Sequence, residues 1–402
     1  MDDPIEQAFN DLFQWCRRRG FSGYDPFDGL NSRLFQSTPL RHSRTARLIQ
    51  TQLVKRSPID LRQLLRVKPQ QNSKGIALFA LASLSNFRRV KTARAESETR
   101  ELLESLLRMQ VLGYSGAAWG YNFDWQNRNF FAPKGTPMIV PTAFAARAFF
   151  EAYEAFKDED YLRTAQSACE FILKDLRRSS ESIDREGEFC FSYSPLDETK
   201  VFNSSLFAAE TLICVGASTG FLVFKEAQGL ALSAAKYVLK RQRADGSWAY
   251  GSGNSQVWVD NFHTAYVLIS LSRIMKCSAG AIDLQPALQR GYCFWRDSFF
   301  LADGWPKYYH DALYPADAHS AATAIVALVE LQDLDSEAIE LAERIAEWTL
   351  RNLRDSRGFF YYQRRRFYTV RTPFMRWTQA WMLYALARLL EAKNLRRSLG
   401  HE

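Results

Sequence analysis

Apolar residues recur along the chain at intervals of three and four, and they do so in two kinds of segment. The first kind is amphipathic and covers residues 161–176, 226–241, 285–299 and 336–353. In the last of these, Leu341, Ile345, Trp348 and Leu350 lie on or near one face, the pattern of a helix with one buried stripe. The second kind is apolar all round and rich in small residues. These segments start near Pro141, Ser204, Phe262, His319 and Thr378, and a sixth covers residues 72–84. A helix apolar on every side must be enclosed by others.

Five aromatic strings punctuate the helices: Trp119-Gly-Tyr121, Phe191-Ser-Tyr193, Trp248-Ala-Tyr250, Trp305-Pro-Lys-Tyr308 and Phe360-Tyr-Tyr362. Their first aromatics are 72, 57, 57 and 55 residues apart. Gly246, Gly304 and Gly358 come one or two residues earlier in three of them, which predicts a tight turn into a short strand. An internal period of this kind is the mark of a repeat fold. The expected fold is all-α: a closed (α/α)6 toroid of helical hairpins, with short β-hairpin loops at one end. An open solenoid fits less well, because no terminal helix pair is polar enough to cap a stack. The whole chain, 1–402, reads as one toroid domain. Residues 1–70 supply N-terminal helices and a segment over the mouth, and 71–392 the repeated hairpins.

Composition narrows this picture modestly. With 402 residues and 47% hydrophobic content, the chain can bury a large core. The N-terminus, Met-Asp-Asp-Pro, is acidic where a secretion signal is basic, and no apolar stretch reaches membrane-spanning length. The six cysteines show no Cys-x-x-Cys spacing, so reduced thiols and a cytoplasmic location are expected. The net charge of +8 is partly concentrated in short clusters: Arg17 to Arg19, Arg88-Arg89, Arg364 to Arg366 and Arg396-Arg397. These read as solvated helix ends, or as attraction to an anionic substrate or a membrane surface. No nucleic-acid recognition module is present in the sequence.

Two resemblances follow from particular strings. Gln242, Asp245, Gly246, Ser247 and Trp248 resemble the QW-type repeat of terpenoid cyclases and protein prenyltransferase β subunits, with weaker echoes at Asp303-Gly-Trp305 and Arg357-Gly-Phe359. In those families the Gln caps a helix end and the Trp covers the turn, so the likeness implies a toroid. The cyclases' DxDD acid is missing, and Asp260, Cys293 and His319 do not stand in the zinc strings of prenyltransferases. The strings from Gly23 to Asn31, Val259 to Thr264, Lys307 to His310, Tyr314 to Ser320 and Met375 to Trp381 resemble a family of bacterial toroid proteins found with surface-polysaccharide biosynthesis enzymes. Its members are described as prenyltransferase/squalene-oxidase-repeat or six-hairpin-glycosidase-like. That resemblance implies a pathway more than a reaction.

The candidate chemistry gathers at the starts of the apolar helices. His263 follows Asp260 by three residues, and His319 follows Asp317 by two. Equivalent helix starts in a closed ring face one cavity, so both pairs are expected to converge there, with the histidines moving protons and the aspartates orienting them. The competing reading is that each Asp is only an N-cap. Substrate contacts are expected from Tyr24, Asp25 and Asp28 of the mouth segment, and from Trp119, Tyr121, Asn203, Trp258, Asn261, Trp305, Tyr308, His310, Arg376, Trp377 and Gln379. No cofactor is required, although Asp260, His263 and His319 have a spacing that a divalent ion could share. These residues point to a carbohydrate-active enzyme of epimerase, lyase or hydrolase type, acting on an anionic sugar. Its partners would be that substrate and, at most, a membrane surface or a pathway enzyme. A terpenoid-type enzyme is the alternative and predicts a deep apolar pocket lined by Phe144, Phe149, Phe150, Tyr266 and Trp381. A non-catalytic glycan-binding or scaffold protein is the third reading.

Overall fold

The computed structural model describes residues 3–127, 130–180, 187–217 and 224–398. Among them run fourteen α-helices: α1 (Pro4–Arg17), α2 (Arg33–Gln36), α3 (Arg44–Arg56), α4 (Ser73–Val90), α5 (Ala93–Leu107), α6 (Ile139–Phe156), α7 (Glu159–Asp175), α8 (Phe202–Ala217), α9 (Phe224–Leu239), α10 (Asn261–Cys277), α11 (Gln285–Phe299), α12 (Ala318–Glu330), α13 (Ala338–Leu353) and α14 (Trp381–Ser398). The apolar segments are the inner helices α4, α6, α8, α10, α12 and α14. Each packs on the next, and α14 returns to α4, which closes the ring. In α12 every residue from Ala318 to Val329 is buried, as an enclosed helix requires.

The amphipathic helices α5, α7, α9, α11 and α13 back α4, α6, α8, α10 and α12 in turn. The sixth outer helix is α1, which packs on α14 through a stripe that includes Ile5, Phe9, Leu12 and Cys16. The chain's beginning therefore completes the hairpin that its end starts. A boundary at residue 70 cuts through this last hairpin, because a contact so distant in sequence leaves no periodic trace.

The QW-like string behaves as its resemblance implies. Gln242 Nε2 donates to Gly246 O (3.0 Å) and Ala287 O (2.8 Å), tying the turn to α11. Trp248 is buried, and its indole N–H donates to Val238 O in the last turn of α9 (3.0 Å). Gly246 has φ +90°, and a Cβ there would lie 2.5 Å from Arg290 O.

The aromatics expected to line a deep apolar pocket fill the ring axis instead. Phe144 packs on Trp381 (5.4 Å between ring centroids) and Tyr266 on Trp381 (5.5 Å). Phe149 is buried against Trp119, and Phe150 faces the far end of the ring. That far end is closed by ion pairs among the inner helices: Arg88 with Glu151 and Glu391, Arg147 with Glu210, and Arg273 with Glu330. Arg88 and Arg89 are thus structural partners, the latter of Glu6, and not a free basic patch. Cys214 and Cys277, on the adjacent helices α8 and α10, form a disulfide with their Cα atoms 5.3 Å apart. This differs from the expectation of reduced thiols for that pair. The two positions meet only because the ring sets neighbouring inner helices side by side.

The strands gather on the loops that lead into inner helices. They are β1 (Trp125–Gln126), β2 (Phe131–Ala132), β3 (Arg178–Ser179), β4 (Cys190–Phe191), β5 (Lys307–Tyr309), β6 (Ala312–Asp317), β7 (Gln363–Arg364) and β8 (Thr369–Val370). The first four form two hairpins, and the rest an antiparallel sheet in chain order. Strand β6 pairs Ala316 with Arg364 and Asp317 with Gln363, then runs directly into α12. No helix among the described residues is long and apolar enough to cross a membrane.

Candidate active site

The mouth of the ring lies at the N-terminal ends of the inner helices, under a strap formed by the segment after α1. Gly23 pairs with Gln70, and Met375 N donates to Tyr24 O (2.8 Å). Arg376 Nε and Nη2 donate to both oxygens of Asp25 (2.6 and 2.8 Å), a bidentate pair buried on both sides. Asp28 accepts from the enclosed Arg62 at 2.7 Å, and Arg62 also donates to Asp25 O. The strap crosses the mouth. Its two aspartates are nevertheless already committed: they fasten the strap to the ring, and Tyr24 packs on the core beneath it.

Between strap and helix ends is a cavity of about 520 Å³. Its walls are aromatic, with Tyr121, Trp125, Tyr193, Tyr250, Trp258, Phe262, Tyr308 and Trp377. Its charged groups are Asp260, His263, Arg376 and, from α3, Lys55 and Arg56. Asp260 is the N-cap of α10. Its Oδ1 accepts from His263 N (2.9 Å), while Oδ2 accepts from His263 Nδ1 (2.7 Å) and from Trp258 Nε1 (3.0 Å). The carboxylate can only accept from the ring, so Nδ1 carries the hydrogen, and in the neutral ring Nε2 is the nitrogen with the lone pair. Nε2 has no hydrogen-bond partner among the described residues, and the His263 side chain keeps 22% exposure to the cavity. Tyr250 and Phe262 hold the ring from either side, with centroids 4.5 and 4.1 Å away. Burial pushes the phenols of Tyr250 and Tyr308 upward, so both stay protonated and able to donate.

The second pair is arranged differently. Asp317 caps α12 through His319 N (2.8 Å) and Ser320 N (3.3 Å), and its other oxygen accepts from Gln363 Nε2 (3.1 Å). It does not touch the His319 ring. His319 is fully enclosed, stacked on Trp377 at 4.2 Å, and outside the cavity lining. Its Nδ1 lies 2.9 Å from Trp377 O, which only accepts, so Nδ1 bears the hydrogen. Burial, with Lys74 nearby, pulls its pKa well below the usual histidine value. The neutral ring then accepts at Nε2 from the Tyr266 hydroxyl (2.8 Å), which has Lys74 Nζ at 3.5 Å on its far side. Both nitrogens of His319 are engaged, so it is neither a base facing the cavity nor a shared metal ligand. Among the described residues no group of three or more His, Cys, Asp or Glu gathers at ligand spacing.

Several expected contacts lie elsewhere. Trp119 is fully buried, with its indole N–H on Leu106 O (2.8 Å), the same turn-covering role as Trp248. Trp305 packs outward on Trp348 and donates to Leu313 O. His310 packs against Phe294 and Phe299 of α11. Asn261 bridges Lys307 O and Trp295 Nε1, and Gln379 satisfies both the N–H and the C=O of Phe360. Each belongs to a repeated turn whose own backbone must be satisfied, which is why these polar residues stand at equivalent positions. Asn203 sits behind the His263 ring, in a small recess shared with Asp260 and Tyr250. Tyr121, Trp258, Tyr308, Arg376 and Trp377 do line the cavity. Lys55 and Tyr250 were missed: Tyr250 stood in an aromatic string, whereas Lys55 had no sequence signal.

The ring is a six-hairpin α/α toroid. It superposes on cellobiose 2-epimerase from Bacillus thermoamylovorans with a TM-score of 0.62 at 12% identity, over 82% of this chain and 90% of that one. A D-mannose isomerase gives 0.58 at 11% identity, over 81% and 87%. The unsaturated glucuronyl hydrolase of Bacillus sp. GL1 gives 0.59 at 13% identity, over 98% and 96%. At these identities the likeness establishes the fold. No family model and no curated protein sequence matches the chain.

Proposed function

We propose that this protein is a carbohydrate-active enzyme that moves a proton on the carbon skeleton of a sugar, with His263 as the base. The observation that carries this reading is the Asp260–His263 dyad, whose unbonded Nε2 belongs to an aromatic-lined cavity. Nε2 takes the proton from a carbon next to a carbonyl group, and the C–H electron pair moves onto the carbonyl oxygen as an enediolate. Tyr250 or Tyr308 donates a hydrogen bond to that oxygen. The imidazolium, stabilised by Asp260, returns the proton to the former carbonyl carbon while the adjacent hydroxyl passes its proton to the enediolate oxygen (isomerisation), or to the opposite face after the enediolate turns in the cavity (epimerisation), or an adjacent leaving group departs as the carbonyl re-forms (elimination). Isomerisation, epimerisation and elimination share this first step. Hydrolysis ranks behind them, because glycoside cleavage usually needs two carboxyl groups and Asp260 is the only carboxylate among the described residues of the lining. The fold-level likeness extends to a sugar epimerase, a sugar isomerase and a glucuronyl hydrolase, so it supports a sugar substrate without choosing among these reactions. The polysaccharide-associated sequence resemblance supports a role in assembling or tailoring a surface polysaccharide. The test is incubation with aldoses, reducing disaccharides and uronic acids in D2O. Deuterium entering a C–H next to the carbonyl supports the proposal, whereas new reducing ends without deuterium would replace it with hydrolysis.

A further inference from the structure

Among the described residues, Lys55 has no hydrogen bond and no ion pair. It stands in the last turn of α3, above the mouth, and turns inward to line the cavity. Its ammonium lies 4.4 Å from the ring centroid of Phe27 and 5.5 Å from that of Trp377, with no hydrogen bond and no ion pair among the described residues. The Arg376 guanidinium is 5.2 Å from the same centroid. Arg376 spends Nε and Nη2 on Asp25 and leaves Nη1 unused. Two cations thus lie near one indole, and only Arg376 is hydrogen-bonded to a carboxylate. Long lysine stems normally carry their charge outward to water. Here burial pulls the ammonium pKa down to about 8, against the attraction of Asp317 and Asp25, while Arg56 and Arg376 lower it further.

We propose that this corner of the cavity binds the carboxylate of an acidic sugar, between Lys55 Nζ and Arg376 Nη1. The inference rests on the reading of the cavity as a sugar site and names the sugar's class. Three lysine donors and one guanidinium nitrogen match the lone pairs of a carboxylate. Phe262 touches both Trp377 (5.6 Å) and His263 (4.1 Å), so one sugar ring can span from the cations to the base. The rival explanation is that the two aromatic faces hold Lys55 merely as packing. That rival predicts no preference among ligands.

The test is equilibrium binding by calorimetry of D-glucuronate, D-galacturonate and D-mannuronate, each against its neutral parent sugar, with glucose 6-phosphate as the phosphate arm. At least one acid is expected to bind about tenfold more tightly than its parent. Lys55→Met should bring that acid to the level of its parent, and Lys55→Arg should restore the preference in part. Equal affinities in all three pairs, an undiminished preference in Lys55→Met, or tighter binding of the phosphate overturns the proposal. Binding is read without turnover: an acid held through Lys55 but never exchanged with D2O keeps this site and sinks the proposed reaction. Exchange of neutral sugars that is indifferent to Lys55 does the reverse.

Discussion

Replacing Asp260 by Asn separates the dyad's orienting role from its capping role. The amide oxygen can still accept from His263 N, now at 2.9 Å, so α10 keeps its cap. The amide NH2 replaces Oδ2 and faces two donors, His263 Nδ1–H at 2.7 Å and Trp258 Nε1–H at 3.0 Å. His263 relieves the clash by moving its hydrogen to Nε2, which leaves the cavity with a donor where the base stood. A positioned base contributes about 10²- to 10⁴-fold, and holding it in the wrong tautomer costs about 10⁴-fold. A fall in kcat of about 10³-fold or more is therefore expected. Trp258 is half-buried and finds water, so stability should fall by only about 1 kcal/mol. The assay is the rate of C–H exchange in D2O, read by proton NMR, beside the ¹⁵N shifts of the His263 ring. Exchange within about threefold of wild type, or a ring still protonated at Nδ1, refutes the orienting argument.

Three further outcomes follow from the surrounding geometry. Asp25→Ala strands the buried Arg376 guanidinium and should cost about 3–5 kcal/mol in urea unfolding; a loss under about 1 kcal/mol would mean that the pair does not fasten the strap. Burial pushes the Asp317 carboxyl from 3.8 up to about 6, so between these values the folded chain holds a proton that the unfolded chain has lost. Its contribution is full below about pH 4 and is lost as pH rises through about 6. Wild type should therefore gain about 2 kcal/mol relative to Asp317→Asn between pH 7 and pH 4, and a pH-independent difference contradicts this. His319→Gln should lower stability by about 2 kcal/mol through lost packing on Trp377, yet keep kcat within about tenfold; a loss as large as that of Asp260→Asn would make His319 a proton carrier after all.

The ring was legible because its evidence is local. Small, all-apolar helices alternate with striped ones, and an aromatic turn marks each repeat. The dyad was legible for a related reason that also explains the second pair. From N-cap Asp260 to His263 is three residues, nearly a full turn, which brings the two side chains together. From Asp317 to His319 is two residues, a spacing at which side chains do not face each other, so the ring points into the neighbouring helix. Hidden were the contacts that only closure creates: α1 on α14, Asp25 on Arg376, Cys214 on Cys277, and Lys55 over Trp377. The polar residues at repeated helix starts were over-read. Gln379 satisfies the backbone of the turn that leads into its own helix, whereas Asn261 ties Lys307 O of the next repeat to the Trp295 indole; both are structural roles that imitate a functional pattern.

The most direct measurement is chemical rescue of His263→Ala. Deuterium exchange into the sugar should vanish in the variant and return, saturably, when imidazole is added, because the 520 Å³ cavity leaves the vacated position open to it. Undiminished exchange in His263→Ala without imidazole would contradict the assignment of His263 as the base.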